Sequence, residues 1–503
     1  MKTKKIFNFL LLLGFLSGCD YLDIVPDNLP TLEMAFNNKS SAERFLFTCY
    51  SFVPEHGKIG TDPGMDVGDE VWYYSDNSAD YSNKTTFWIA KGMQNSNEPL
   101  VDYWNGTQWG KAMFVGIRDC NVFIENIEKV PDLSAYDKET WKAEAKVLKA
   151  FYHFWMMRMY GPIPIIKENI PVSAGEDEVR VVRDKIDDIV TYIVSLIDES
   201  VEYLPLNIQN EAAEMGRITR PAAKAIKAKI LAFAASPFFN GNLDYANFKN
   251  AEGEPFFNQV YDNEKWTKAA DACLEAIQCA EEAGHGLYEF VNMSSTQLSD
   301  ETILSLSNRC KVTERWNKEL VWGCGQSGIR DLQVLCQPWL ESNYSSDDRY
   351  HNARNGTFAP TLAVAETFYT KNGVPMDEDK NYDYSKRYTT QVATEADKYY
   401  IQPGYTTAKL HFDREPRFYA TLGFDGSSWY GIGKMDDNDM WYLQAKAKQA
   451  SGKRGNTLYS ITGYFAKKLV RYQNAMVPAS IQIETYPFPI IRWQIYICCM
   501  LKL

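Results

Sequence analysis

Histidines are the side chains best suited to proton transfer or metal ligation near neutral pH. Here they stand apart, at His56, His153, His285, His351 and His411, with no H-E-x-x-H pair and no two at ligand spacing. His153, between Tyr152 and Phe154, reads as packed inside a helix. The nucleophile elbow G-x-S-x-G is absent. Gly323-Cys324-Gly325-Gln326-Ser327-Gly328 matches G-x-G-x-x-G after a strand-like Leu320-Val321-Trp322, but no second apolar strand ending in an acid follows. It therefore reads as a glycine-rich surface loop and not as a dinucleotide cradle. Asp377, Asp379, Asn381 and Asp383 alternate like the first ligands of a calcium loop. Tyr382 stands where such a loop needs Gly, and Tyr388 where it needs a bidentate Glu, so an acidic solvated loop is expected, with calcium the weak alternative. Seven cysteines of the body (Cys49, Cys120, Cys273, Cys279, Cys310, Cys324 and Cys336) include no C-x-x-C pair and read as small buried hydrophobes. No catalytic residue, cofactor or metal is expected from these patterns.

Recognition by aromatic surfaces is the better-stocked chemistry. The 503 residues include 31 Tyr, 26 Phe and 13 Trp, so aromatics reach 14%. From Pro54 to Asn105, helical periodicity dissolves into Gly, Asp, Asn and Ser interleaved with aromatic rings. A loop region this long inside a domain is more often functional than idle. A net charge of −12 argues against a protein that tracks nucleic-acid phosphates. A hydrophobic fraction of 45% argues against disorder.

The elements that would position these rings are mostly helices. Apolar spacing predicts helices from Thr31 to Tyr50, Lys111 to Glu128, Lys138 to Tyr160, Asp184 to Tyr203, Thr219 to Ala235 and Asn263 to Ala283. Gly161-Pro162 and Ser236-Pro237 supply stop signals, and Thr219-Arg220-Pro221 a start. Small residues such as Ala145, Ala223, Ala228 and Ala270 suit closely paired helices. The helical part is expected mainly over 31–50 and 111–285. Loop-rich parts are expected over 54–110 and 290–480, with few clear helices after Val291.

At the amino terminus, Lys2, Lys4 and Lys5 precede an apolar run from Ile6 to Leu16, which has the length of a signal-peptide core and not of a membrane span. It ends in Leu16-Ser17-Gly18-Cys19, which resembles a bacterial lipobox. That resemblance implies removal of residues 1–18 and acylation of Cys19, palmitate included. Several acyl chains on one residue anchor a protein stably. Residues 19–30 then read as an extended tether.

Cys19 is followed by Asp20-Tyr21-Leu22-Asp23. Further on come Glu144-Ala145-x-x-Leu148-Lys149-Ala150-Phe151-Tyr152-His153-Phe154 and Tyr160-Gly161-Pro162-Ile163-Pro164. Arg217-Ile218-Thr219-Arg220-Pro221-Ala222-Ala223 and Trp266-x-x-Ala269-Ala270 follow, then Glu319-Leu320-Val321, Pro360-Thr361 and Asn372-Gly373. Asp413-Arg414-Glu415-Pro416-Arg417-Phe418, Thr462-Gly463-Tyr464-x-x-Lys467-Lys468 and Pro487-Phe488-Pro489-Ile490-Ile491-Arg492 close the series. In this order the segments resemble the SusD/RagB family of outer-membrane lipoproteins. The resemblance implies a mostly α fold, a stack of tetratricopeptide-like helix pairs with an irregular, partly β half that bears the ligand surface, in one domain over 31–492. It implies a surface-exposed, non-catalytic receptor that captures oligosaccharide and partners a SusC-like TonB-dependent transporter. Peptide capture, as in RagB-like members, and a surface glycoside hydrolase are the alternatives.

A pyranose has an apolar C–H face that stacks on Trp or Tyr, and hydroxyls that need amides or carboxylates nearby. On that chemistry the expected ligand residues are Asp69, Trp72, Tyr74, Asp76, Asn77, Trp88, Asn95 and Trp104, with Trp316, Trp322 and Trp339 from the second half. The tail departs from the family pattern. Trp493–Leu503 replaces an expected amphipathic helix that a one-base shift of the back-translated sequence permits. A frameshift that truncates the chain and leaves helix faces uncovered is the expectation.

Overall fold

Asn38 accepts the Ser41 N–H at 2.9 Å and starts the first long helix, α1 (Lys39–Tyr50), after a short turn of helix at Leu32–Ala35. The break between the two is where the sequence had suggested one continuous helix. In the computed structural model, described over residues 32–73, 88–293, 295–325, 327–341, 355–455, 458–477 and 480–500, five more helices follow. They are α2 (Met113–Asn126), α3 (Ala135–Tyr160), α4 (Ile186–Asp198), α5 (Arg220–Ala235) and α6 (Glu264–Glu282). Ser134 caps α3, and Gly161, at φ 70°, ends it, a conformation glycine adopts without steric cost. Thr219 caps α5 with Pro221 in its first turn, as the sequence anticipates.

These helices pack in chain order: α2 on α3, α3 on α4, α4 on α5 and α5 on α6, with α1 against α2 and α3. Alanines at the α5–α6 seam, among them Ala222, Ala225, Ala272 and Ala276, are fully buried and let the two backbones approach. One polar tie runs through this apolar stack. Arg217, just before α5, makes a two-pronged contact to Glu144 of α3 at 2.7 and 3.1 Å. Tyr50 of α1 donates to the same carboxylate at 2.6 Å and accepts the Ile218 N–H at 2.8 Å. Glu144 is only 2% exposed, and burial pushes its pKa up while Arg217 and the Tyr50 hydroxyl oppose that push.

The second half contains a helix the sequence reading missed, α7 (Asp300–Thr313). Ser299 caps it by accepting from Thr302 N–H, and Arg309 is fully buried, donating to the carbonyls of Val470 and Tyr430. Around it lie short strands and the helix α8 (Ile329–Cys336). Among the described residues, every sheet is two-stranded. β1 (Val71–Tyr73) pairs antiparallel with β3 (Phe358–Pro360), and β2 (Leu320–Cys324) with β4 (Phe488–Arg492), so the glycine-rich 323–328 stretch follows an antiparallel strand, not a βαβ unit. After β4 comes α9 (Trp493–Met500), which packs on α6 and α5. Trp493 and Tyr496 of this segment are buried, and the Tyr496 hydroxyl donates to the Ala225 carbonyl at 3.1 Å. Cys49, Cys120, Cys273, Cys279, Cys310, Cys324 and Cys336 are buried thiols that form no disulfide among the described residues. Among the described residues, no helix is long and apolar enough to cross a membrane.

Candidate functional site

The loop ahead of α2 is organised by one carboxylate. Asp102 is 2% exposed and accepts from the N–H groups of Trp104 and Asn105 at 2.9 and 3.1 Å. It also accepts from the Asn105 amide at 3.0 Å and the Thr107 hydroxyl at 2.9 Å. Burial pushes its pKa up, but these bonds outweigh burial and hold it below the usual carboxylate range. A bridge between the Asp102 and Thr107 backbones closes the turn.

That frame supports backbone that bulky residues rarely adopt. Gln108 and Trp109 sit at φ 48° and 70°, in the left-handed region. Each such residue costs about 1–3 kcal/mol and persists only where its surroundings over-determine it. The result is an indole held out in solvent: Trp109 is 59% exposed. Trp88, earlier in the same loop region, is 42% exposed. Between them Gln94 braces the chain, accepting from the Leu100 N–H and donating to the Leu100 carbonyl, both at 2.7 Å. Asn95 accepts from the N–H groups of Asn97 and Glu98. Rigid, exposed aromatic rings among amides can stack on an apolar ring face and bond its substituents.

The expected ligand residues divide by position. Trp88, Asn95 and Asp69 are exposed, and Trp72 is half-buried in β1 opposite Ala359. Tyr74, Asp76 and Asn77 lie outside the described residues, as does Cys19. Trp322 packs mostly inward, with part of its surface on a cleft that Trp316 also lines. It is 3% exposed, its indole N–H donates to the Gly216 carbonyl at 3.1 Å, and Phe151 meets its ring edge-on. Trp104 also works inward, edge-on to Phe114 and Tyr160 with the Arg183 guanidinium over its ring. Trp316, at φ 47°, lines a separate cleft of about 430 Å³ with Asn207, Glu211, His285 and Asn317. Trp339 is half-buried near Asn355 and Ser451. Sequence reasoning missed Trp109. Its signal was the polar and small company of Thr107, Gln108 and Gly110, which an apolar core segment would not keep.

Residues of the calcium-like run make contacts of their own. Asp379 is occupied by the Thr370 hydroxyl, the Asn372 amide and the Asn381 N–H, while Asp383 takes Ser385 and Lys386. Among the described residues, no three His, Cys, Asp or Glu side chains converge as metal ligands. His153 and His411 are both buried within the fold.

Comparison with known proteins follows the same division of the chain. The profile of the SusD family matches residues 330–493. A second SusD-like profile, described as starch-binding associating with outer membrane, matches residues 20–231. The solved structure of BT4246 is 27% identical, superposes with a TM-score of 0.76, and is aligned over 92% of this chain and 78% of that one. A SusD-like protein of Bacteroides fragilis NCTC 9343, BF3747, is 17% identical with a TM-score of 0.64, over 93% of this chain and 75% of that one. A third, BF0978 of the same organism, is 16% identical with a TM-score of 0.53, over 93% and 74%. No curated protein matches. Matches in both halves of the sequence, on a helix-rich fold shared nearly end to end, place the chain in the SusD/RagB family.

Proposed function

We propose that this protein is a non-catalytic receptor, anchored to the outer membrane through acylated Cys19, that captures oligosaccharide for import through a SusC-like TonB-dependent transporter. In this reading residues 1–18 are the signal peptide, 19–30 the tether and 31–492 the receptor body. The observation that carries the reading is the exposed indole of Trp109, beside a turn locked by buried Asp102, with a second exposed indole at Trp88. Family membership supports it, since one matching profile carries a starch-binding, outer-membrane description. In the same reading, Trp72, Asp69 and Asn95 supply further stacking and hydrogen-bonding groups. Pre-organised rings lose little entropy on binding, which suits capture of a flexible chain.

Affinity electrophoresis against a polysaccharide panel, followed by calorimetry on the positives, tests this. Saturable binding of at least one glycan, recovered chemically unchanged, is expected. A blank panel alongside calorimetric binding of peptides would replace glycan by peptide as the cargo. Cleavage of the bound glycan would overturn the receptor reading.

A further inference from the structure

Buried or half-buried charges in folded proteins are paired, because an uncompensated one forgoes hydration without return. Lys468 breaks that rule. It is half-buried and lines a groove of about 470 Å³ between the loop-rich half and α9. The groove walls are apolar, with Met65, Val364, Phe368, Leu422 and Ile495 among them. Its neighbour Lys467 points the other way, donating to the Tyr419 and Ser428 carbonyls at 2.7 and 2.9 Å. The Lys468 ammonium has no hydrogen-bond or ion-pair partner among the described residues.

The charges that face it are of its own sign. Burial, then Arg492 of β4 and Lys311 of α7, push its pKa down to about 8. Glu319, the partner of Arg492 at 3.0 Å, also accepts the Tyr288 N–H. Glu70 lines the groove as an exposed side chain and makes no ion pair with Lys468.

An apolar trough ending in an unpaired cation fits one kind of occupant. We propose that this groove binds a small amphipathic carboxylate, its apolar body against Met65, Val364, Phe368 and Leu422 and its carboxylate on Lys468. The site is independent of the exposed indoles and of the glycan reading.

Octanoate serves as the probe and octan-1-ol as its neutral counterpart, titrated into the full chain by calorimetry. Octanoate is expected to bind one to one, at least tenfold tighter than octan-1-ol. Lys468→Met is expected to weaken octanoate at least tenfold and leave octan-1-ol unchanged, while Val364→Trp, which fills the trough, abolishes both. Lys468→Met is further expected to melt no lower than the parent, since it removes an unpaired charge, and to keep any glycan binding. No saturable octanoate binding, or equal octanoate affinity for parent and Lys468→Met, would overturn the proposal. A lower melting temperature for Lys468→Met would do so too, because it would reveal an internal partner for the ammonium.

Discussion

A single exposed ring can be removed without touching the core, which makes Trp109 the sharpest probe of the surface. Trp109→Ala is expected to weaken glycan binding by about 1–3 kcal/mol, the range for a stacked, desolvated aromatic, with an unchanged melting temperature. Trp322→Ala is expected to do the reverse, costing about 3–5 kcal/mol of stability as a core truncation does. Parallel calorimetry and thermal melts on the two variants check both. Asp102→Ala should fall between them: it frees four donors and the strained Gln108–Trp109 backbone, lowering stability by about 2–3 kcal/mol and affinity with it. These contrasts also mark how far single residues were legible. An aromatic ring among amides suggests a binding surface, but which ring faces out depends on tertiary packing. Trp322, between Val321 and Gly323 in an apolar strand, carried a core signature that its residue type overshadowed. Trp109 had only its polar and small neighbours as a signal, while the loop that holds it out depends on a carboxylate seven residues away.

At the scale of elements, helix starts were the most readable feature, because capping is local chemistry. Thr219 with Pro221 marks the start of α5, and Gly161-Pro162 the end of α3. The α7 helix escaped because Ser305, Ser307, Asn308 and Cys310 lower its propensity and blur its stripe. Its start signal was nonetheless present: Ser299 followed by Asp300 and Glu301, with Leu306, Cys310 and Thr313 buried. Contacts between distant elements were not legible at all. The Tyr50–Glu144–Arg217 tie joins three segments that no periodicity connects. Removing one partner of a buried ion pair leaves the other charge stranded, so Arg217→Met is expected to cost about 3–5 kcal/mol. Tyr50→Phe loses one charged hydrogen bond and should cost about 1.5–3 kcal/mol. Urea titrations followed by circular dichroism compare them.

At the scale of the whole molecule, two buried histidines contribute to the response to acid. His153 uses both ring nitrogens as a neutral imidazole, with Nδ1 on the Lys149 carbonyl at 2.8 Å and Nε2 accepting the Ile166 N–H at 3.2 Å. His411 bridges Thr407 and Tyr464 while its ring lies over Phe424. Burial lowers His153 to about 4, and burial with nearby Arg414 lowers His411 to about 3. Both folded values lie below the unfolded value of about 6.5. The unfolded chain therefore takes up protons first, and stability present above pH 6.5 drains away as pH falls below it. Moving from pH 7.5 to 4.5 should remove about 2–3 kcal/mol per histidine, read as a falling melting temperature that His411→Gln makes shallower. The family and its helical architecture were legible from ordered motifs spread along the chain, whereas the ligand surface depends on loops whose shape only the folded molecule defines. Calorimetry of the parent and Trp109→Ala with the same glycan, with the sugar recovered and analysed afterwards, tests the central claim most directly. The account predicts saturable binding by the parent, at least fivefold weaker binding by the variant, and intact sugar from both. Equal affinities together with a shortened glycan would contradict it.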